Sequence, residues 1–225
     1  MSTNSSKKTL GLVHTSATLV PVFQELISTK LPHVDSFNIV DDSVIKDVIR
    51  EGKLTPTTAS RVVGHISAAA AAGADLVLAT CSSIGQAVEI AAKLNSVPVL
   101  RVDQPMADQA VAMGKRIGVI ATLSTTLEPT ADLVHRRAAL AGREIELTAR
   151  LCDGAFAALM AGNTEDHDQR IAEALKELNK QVDVILLAQA SMARVLDSLP
   201  SGAIQVPVLA SPPSAVDHLS MVLNP

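Results

Sequence analysis

The stretch Ala74-Asp75-Leu76-Val77-Leu78-Ala79-Thr80-Cys81-Ser82-Ser83-Ile84-Gly85 decides the fold. An unbroken apolar run ends abruptly in a thiol and two hydroxyls, and the helix-compatible segment Gln86 to Lys93 follows. Apolar residues without alternation mark a strand buried on both faces of a parallel sheet. Hydroxyl residues at its end open the next helix. A thiol placed there feels the positive end of that helix and the free N–H groups of its first turn, which favour the thiolate. The same N–H groups can hold a carboxylate.

The stretch has an echo further along the chain. Asp75-Leu76-Val77-Leu78-Ala79 aligns with Asp183-Val184-Ile185-Leu186-Leu187, Gly11-Leu12-Val13 with Gly118-Val119-Ile120, and Val97-Pro98-Val99-Leu100 with Val206-Pro207-Val208-Leu209, at shifts of 107 to 109 residues. Three echoes in one order at a nearly constant shift predict two similar lobes. Each is a doubly wound parallel sheet with strand order 2-1-3-4.

The elements fall into place around these strands. In the first lobe strands are predicted at 9–13, 35–40, 74–79 and 97–102, with helices at 17–29, 44–50, 56–72 and 86–93. A helix at 105–113 leads into the second half of the chain, where strands are predicted at 116–121, 144–151, 183–187 and 206–209, with helices at 127–141, 156–160, 166–181 and from about 214. The expected organisation is a polar leader at 1–8, lobe one at 9–104 and 206–225 with a C-terminal return helix, and lobe two at 105–205. The fold class is α/β, two lobes related by a pseudo-twofold axis with the active-site cleft between them. Ligands of such sheets sit beyond the carboxyl ends of the strands, where the winding reverses. That places His14, Thr15 and Cys81 to Ser83 at one crevice, and Thr122 to Thr125 with Gln189 to Ser191 at the other.

The composition narrows the function. The 225 residues are 48% hydrophobic and 19% charged, with a formal net charge of -4, no Trp, no Tyr and three Phe. Nucleic-acid binding wants basic surface and stacking rings, so it is not expected. No apolar run has the length of a membrane span, and Met1 to Lys8 lacks the core of a signal peptide, so a cytoplasmic location is expected. Two cysteines make no disulfide framework. A pocket built from Ala, Val, Leu and Ile recognises ligands by hydrogen bonds, which suits a small aliphatic or polar molecule.

Thr80-Cys81-Ser82-Ser83, the strand Gly118-Val119-Ile120-Ala121-Thr122 with Thr125, and the two Val-Pro-Val strands together resemble the aspartate/glutamate racemase superfamily, over nearly the whole chain. The resemblance implies two duplicated α/β lobes and thiols facing opposite sides of a substrate α-carbon. It further implies hydroxyl or amide neighbours that bind a carboxylate, no cofactor and no metal, and assembly as a homodimer or larger homo-oligomer. Carried over by position, Cys81 is the first-lobe thiol, and Ser82 and Ser83 are its carboxylate-binding neighbours. The second-lobe thiol is replaced by Gln189, in Ala188-Gln189-Ala190-Ser191. An amide cannot abstract a proton, but it can hydrogen-bond a carboxylate with either end.

The expected activity is therefore Cys81-mediated proton transfer at the α-carbon of a small carboxylate. His14 is read either as the second acid/base or as a hydrogen-bonded structural residue. Thr15, Thr122, Thr125 and Ser191 are further candidates for substrate binding. The alternatives are a single-cysteine decarboxylase, an isomerase or hydrolase working through a covalent Cys81 adduct, and a non-catalytic dicarboxylate-binding paralogue. Cys152 is read as structural, and Asp166-His167-Asp168 as a solvated helix start.

Overall fold

The computed structural model describes residues 7–223, so all but the end of the leader expected at 1–8 lies outside the described residues. The chain divides into two units, one running through Val102 and resuming at Ala215, the other spanning Asp103–Ser214.

In the first unit β1 (Thr9–His14), β2 (Asp35–Val40), β3 (Leu76–Ala79) and β4 (Val99–Arg101) form a sheet in the order β2-β1-β3-β4. Every pair is parallel, with Leu12 opposite Leu78 and Ala79 opposite Arg101. Helices α1 (Leu19–Lys30), α2 (Asp42–Glu51), α3 (Pro56–Ala71) and α4 (Gly85–Leu94) flank it. The apolar run at β3 serves both faces, as its sequence requires. Leu76 and Leu78 pack with Leu10, Leu12, Phe23 and Ile27, while Val77 and Ala79 pack with Val13, Ile66, Ala69 and Val88.

The second unit repeats the design. It contains α5 (Gln104–Met113), β5 (Arg116–Ala121), α6 (Ser124–Leu140), β6 (Glu146–Leu151), α7 (Ala155–Met160), α8 (Thr164–Leu178), β7 (Val184–Leu187), α9 (Arg194–Ser198) and β8 (Val208–Ala210). The strands pair in parallel in the order β6-β5-β7-β8. Val184 and Leu186 face one core, with Val119, Leu133 and Val134, and Ile185 and Leu187 the other, with Ile171, Leu175 and Met192.

The last helix, α10 (Ser211–Leu223), carries the chain from the second unit back to the first, where Ala215, Val216 and Leu219 join the core of β1 and β3. The unit boundary thus falls after Ser214 rather than at 205, where the sequence reading puts it. The reason is that Val208, Leu209 and Ala210 ladder onto Ile185, Leu186 and Leu187 of the second sheet.

Two repeated details keep each sheet in register. Asp75 accepts the Thr9 backbone N–H at 2.8 Å and Asp183 accepts that of Arg116 at 2.8 Å, so the acid before the third strand of each unit anchors the start of its first strand. Gly11 and Gly118 let a neighbouring element approach the centre of β1 and β5, since a Cβ there would lie 3.1 Å from Ala74 Cβ and 3.0 Å from Leu178 Cδ1, respectively.

Candidate active site

At the carboxyl end of β3 the chain passes through Cys81 in an extended conformation, φ -133° and ψ 123°, into a single 3-10 turn, Ser82–Ile84, and then α4. The same path recurs after β7, where Gln189, φ -136° and ψ 140°, precedes the 3-10 turn Ala190–Met192. The duplication therefore extends to the backbone of the candidate site, and positions 81 and 189 are structural counterparts.

Cys81 is half-buried. Its sulfur takes hydrogen bonds from the Thr15 hydroxyl, the Ser83 N–H and hydroxyl, and the Ile84 N–H. Burial pushes the thiol above its ordinary value and outweighs these donors, which pull the other way. The sequence expectation of a favoured thiolate is corrected in sign. The N–H groups at the head of the helix do reach the sulfur, but desolvation of the charged form costs more than they return, so the group rests as a thiol. Ser82 is buried beside it, and its hydroxyl has no hydrogen-bond partner among the described residues. It does not cap the turn it opens.

His14 ends β1 and is buried. Nε2 lies 2.9 Å from Asn38 Oδ1 and Nδ1 lies 2.9 Å from Thr80 Oγ1. An amide oxygen only accepts, so Nε2 carries the proton and Nδ1 accepts from the Thr80 hydroxyl. Burial lowers the imidazole's pKa, against the Asn38 bond that raises it, and the ring packs against Phe23 at a centroid distance of 5.8 Å. Both ring nitrogens of His14 are thus engaged within the first unit.

In the second unit Thr122 follows β5 as Thr15 follows β1. Its backbone N–H and hydroxyl lie 2.6 and 2.8 Å from Gln189 Oε1. A backbone N–H can only donate, so the amide atom facing it is the oxygen, and Nε2 is the end left for other partners. Helix α6 starts at Ser124, earlier than the sequence pattern suggests, because the Leu123 carbonyl accepts the N–H groups of both Thr126 and Leu127. Thr125 thus lies in the first helical turn, 9% exposed, and its hydroxyl has no partner among the described residues. Ser191 is part-buried in the turn after Gln189.

His167 is the residue the sequence reading misplaces. In the first turn of α8 it is 0% exposed, with Nδ1 2.6 Å from Asp168 Oδ1 and Nε2 without a partner among the described residues. Asp168 also takes Arg194 Nη2 at 2.8 Å, while Asp166 holds Arg170 on the exposed side. The helix turns position 167 inward between two solvated acids, and only the i, i+4 step to buried Ile171 could have signalled it. Cys152 is buried, as expected, and desolvation pushes its thiol up to about 11. Asp41 caps α2 and gathers Ser43, Arg61 and His65. Among the described residues no group of three or more His, Cys, Asp or Glu is placed to hold a metal ion, and no helix is long and apolar enough to cross a membrane.

Residues 10–219 match the family model described as Asp/Glu/Hydantoin racemase. Among solved structures, glutamate racemase from Francisella tularensis in complex with D-glutamate is similar at TM-score 0.74 and 15% identity, covering 96% of this chain and 81% of its own. Aspartate racemase from Picrophilus torridus is similar at TM-score 0.72 and 13% identity, covering 96% and 94%. Allantoin racemase from Pseudomonas fluorescens is similar at TM-score 0.66 and 17% identity, covering 96% and 90%. No curated protein matches in sequence.

Proposed function

The chain belongs to the Asp/Glu/hydantoin racemase family and is an enzyme of the racemase/isomerase type, and from that premise we propose that it moves a proton at the α-carbon of a small carboxylate, with Cys81 as the proton carrier and no cofactor. What supports this reading above all is the convergence of Thr15, Ser83 and Ile84 donors on the Cys81 sulfur, next to a buried Ser82 hydroxyl that bonds nothing else. A cysteine serving only as a small hydrophobe has no use for such a set of donors.

In the forward step the thiolate takes the α-proton, so the Cα–H bond breaks and an S–H bond forms. The freed electron pair moves into the carboxylate as an enediolate, and hydrogen-bond donors are what such a species needs. Ser82 and Ser83, in the turn after Cys81, are the donors we assign to it; in the second unit Thr125, the Gln189 amide and Ser191 are candidate carboxylate-binding groups of the same chemistry. Gln189 cannot take a proton, so solvent water rather than a second thiol returns a proton to Cα from the opposite face, and the hydroxide it leaves is neutralised by the proton held on Cys81. A second reading follows from the protonated resting state of Cys81: the thiol delivers its proton to an enediolate left by loss of a carboxylate.

Incubation of amino acids and related small acids with the enzyme in deuterated buffer tests both. Deuterium at Cα with inversion supports racemisation, and label with release of carbon dioxide supports the decarboxylase reading. Cys81→Ala should abolish either while the fold survives. Turnover retained in that variant would remove Cys81 from the mechanism.

A further inference from the structure

The second unit leaves one edge of its sheet open. The order β6-β5-β7-β8 puts β6 and β8 outermost. β8 has only three residues, but β6 runs for six, Glu146-Leu147-Thr148-Ala149-Arg150-Leu151, with Leu147 half-buried and the rest exposed. Edge strands are commonly blunted by shortness, by proline or lysine, or by a covering element, because a long bare edge is a template for another chain. No proline, glycine or lysine interrupts β6, and its side chains stay in solvent.

The ladder to β5 decides which backbone groups of β6 face outward. The N–H groups of Glu146 and Cys152 donate to the carbonyls of Lys115 and Ala121 at 2.9 and 2.8 Å. Alternate residues of a strand bond the same neighbour, so the even positions face β5 and the groups of Leu147, Ala149 and Leu151 face away. Antiparallel pairing of this edge with itself must therefore set odd positions against odd ones. With Thr148 on the twofold axis, Leu147 exchanges both backbone bonds with Ala149 of a second copy. Glu146 then stands directly opposite Arg150 of that copy, and by symmetry the pair occurs twice. Within the chain these two side chains hold exposed partners, Lys115 at 3.4 Å and Glu177 at 3.1 Å, and surface pairs of this kind contribute little. The edge strand β2 of the first sheet is as long, but it carries Asp35 and no cation, so pairing with itself joins no opposite charges.

We propose that β6 is the surface through which two copies of this chain join, antiparallel about a twofold axis at Thr148, so that the second sheet of one copy continues into that of the other. The occupant is a second copy because Glu146 and Arg150 lie equally far from Thr148 on either side, which makes the edge its own complement in charge as well as in hydrogen bonding. The contact closes on itself and leaves no further β6 edge to extend it. It belongs to the second unit alone and makes no use of the chemistry proposed for Cys81.

Sedimentation velocity of the intact chain over a concentration series reads this contact. Wild type should form a dimer that dissociates on dilution, with nothing larger. Glu146→Arg sets two cations against each other at both ends of the contact, and Arg150→Glu does the same with acids. Each should raise the dimer dissociation constant about tenfold or more. The double variant restores opposite charges and should return the constant to within about threefold of wild type. An interface elsewhere, or another register, predicts no such rescue. Thr148→Cys places its thiol against that of the second copy, in a pair whose side chains lie close, and should give a dimer on oxidation with diamide, linked through position 148 in peptide mass spectrometry. A monomeric wild type, assembly beyond the dimer, or association unchanged by both folded single reversals would overturn the assignment. If the charge variants do not fold, the link at position 148 decides the question, and its absence from an oxidised, folded Thr148→Cys counts against the contact.

Discussion

Thr122 holds the Gln189 amide in one orientation, its N–H and hydroxyl both donating to Oε1 at 2.6 and 2.8 Å. Thr15 makes the equivalent contact to Cys81 in the first unit, its hydroxyl donating to the sulfur. A threonine after the first strand thus grips whatever residue stands at the end of the third, a thiol in one unit and an amide in the other. Gln189→Glu keeps an oxygen toward both Thr122 donors and turns the outward donor into an anionic oxygen. The expected result is a folded protein whose KM for a carboxylate substrate rises at least tenfold, with a smaller rise in Gln189→Ala. Losing a hydrogen bond to a charged group is worth about 1.5–3 kcal/mol, and the added repulsion acts in the same direction. Steady-state kinetics on both variants check this, and an unchanged KM in Gln189→Glu would show that Nε2 does not read the substrate.

The resting protonation of Cys81 gives the reaction a pH signature. Burial raises the thiol above 9.0, so at neutral pH the thiolate is the minor form. If the thiolate abstracts the proton, kcat should rise about tenfold per pH unit from neutrality upward and level off only above pH 9. If the thiol protonates a decarboxylated enediolate, the profile should be flat through neutrality and fall at alkaline pH. Thr15→Val removes a donor that favours the thiolate, so it should displace the limb of either profile to higher pH. A pH–rate series on wild type and Thr15→Val distinguishes the cases.

Much of this was legible because parallel strands buried on both faces carry a plain signature. Leu76 to Ala79 and Val184 to Leu187 each feed two cores, so no polar residue interrupts them, and Asp75 and Asp183 stand just before them to anchor the first strands. The position of Cys81 followed from the end of such a run. Side-chain commitments did not follow. That His14 spends both nitrogens depends on Asn38 of β2 and Thr80 after β3, which pairing across the sheet brings together. Helix α6 began early because a Leu123 carbonyl, not a capping side chain, starts it. Arg101 reads in sequence as one more residue of a short strand, and only the space beside Gly85, which its guanidinium fills, shows its reach.

Cys152 offers a stability test independent of activity. Its thiol is raised from 9.0 to about 11 in the folded protein, first by burial. Below pH 9 the thiol is protonated whether the chain is folded or not. Between pH 9 and about 11 the unfolded chain ionises first, binds fewer protons than the native state, and is favoured as pH rises. The folded state should therefore lose stability across that window, by about 3 kcal/mol at most. Urea midpoints measured at pH 8 and pH 10.5 for wild type and Cys152→Ala should converge as pH rises, because the variant lacks this loss. Parallel decline in the two proteins would mean that Cys152 ionises as it does in the unfolded chain.

Gly11 and Gly118 occupy equivalent places in β1 and β5, yet they should respond differently to the same substitution. A Cβ at Gly11 would meet Ala74 Cβ at 3.1 Å and Ala69 Cβ at 3.2 Å, atoms fixed to the backbone with no torsion to relieve them. At Gly118 it would meet Leu178 Cδ1 at 3.0 Å and Val182 Cγ2 at 3.3 Å, which rotamer changes can move. Overpacking a rigid contact costs about 1–3 kcal/mol, against a gain of about 0.4–1 kcal/mol from a less flexible unfolded chain. Gly11→Ala should therefore lower the urea midpoint clearly, whereas Gly118→Ala should fall within about 1 kcal/mol of wild type. If Gly118→Ala proves the more damaging of the two, the approach of the neighbouring element to β1 is looser than these distances state, and the two units are packed less alike than their strands imply.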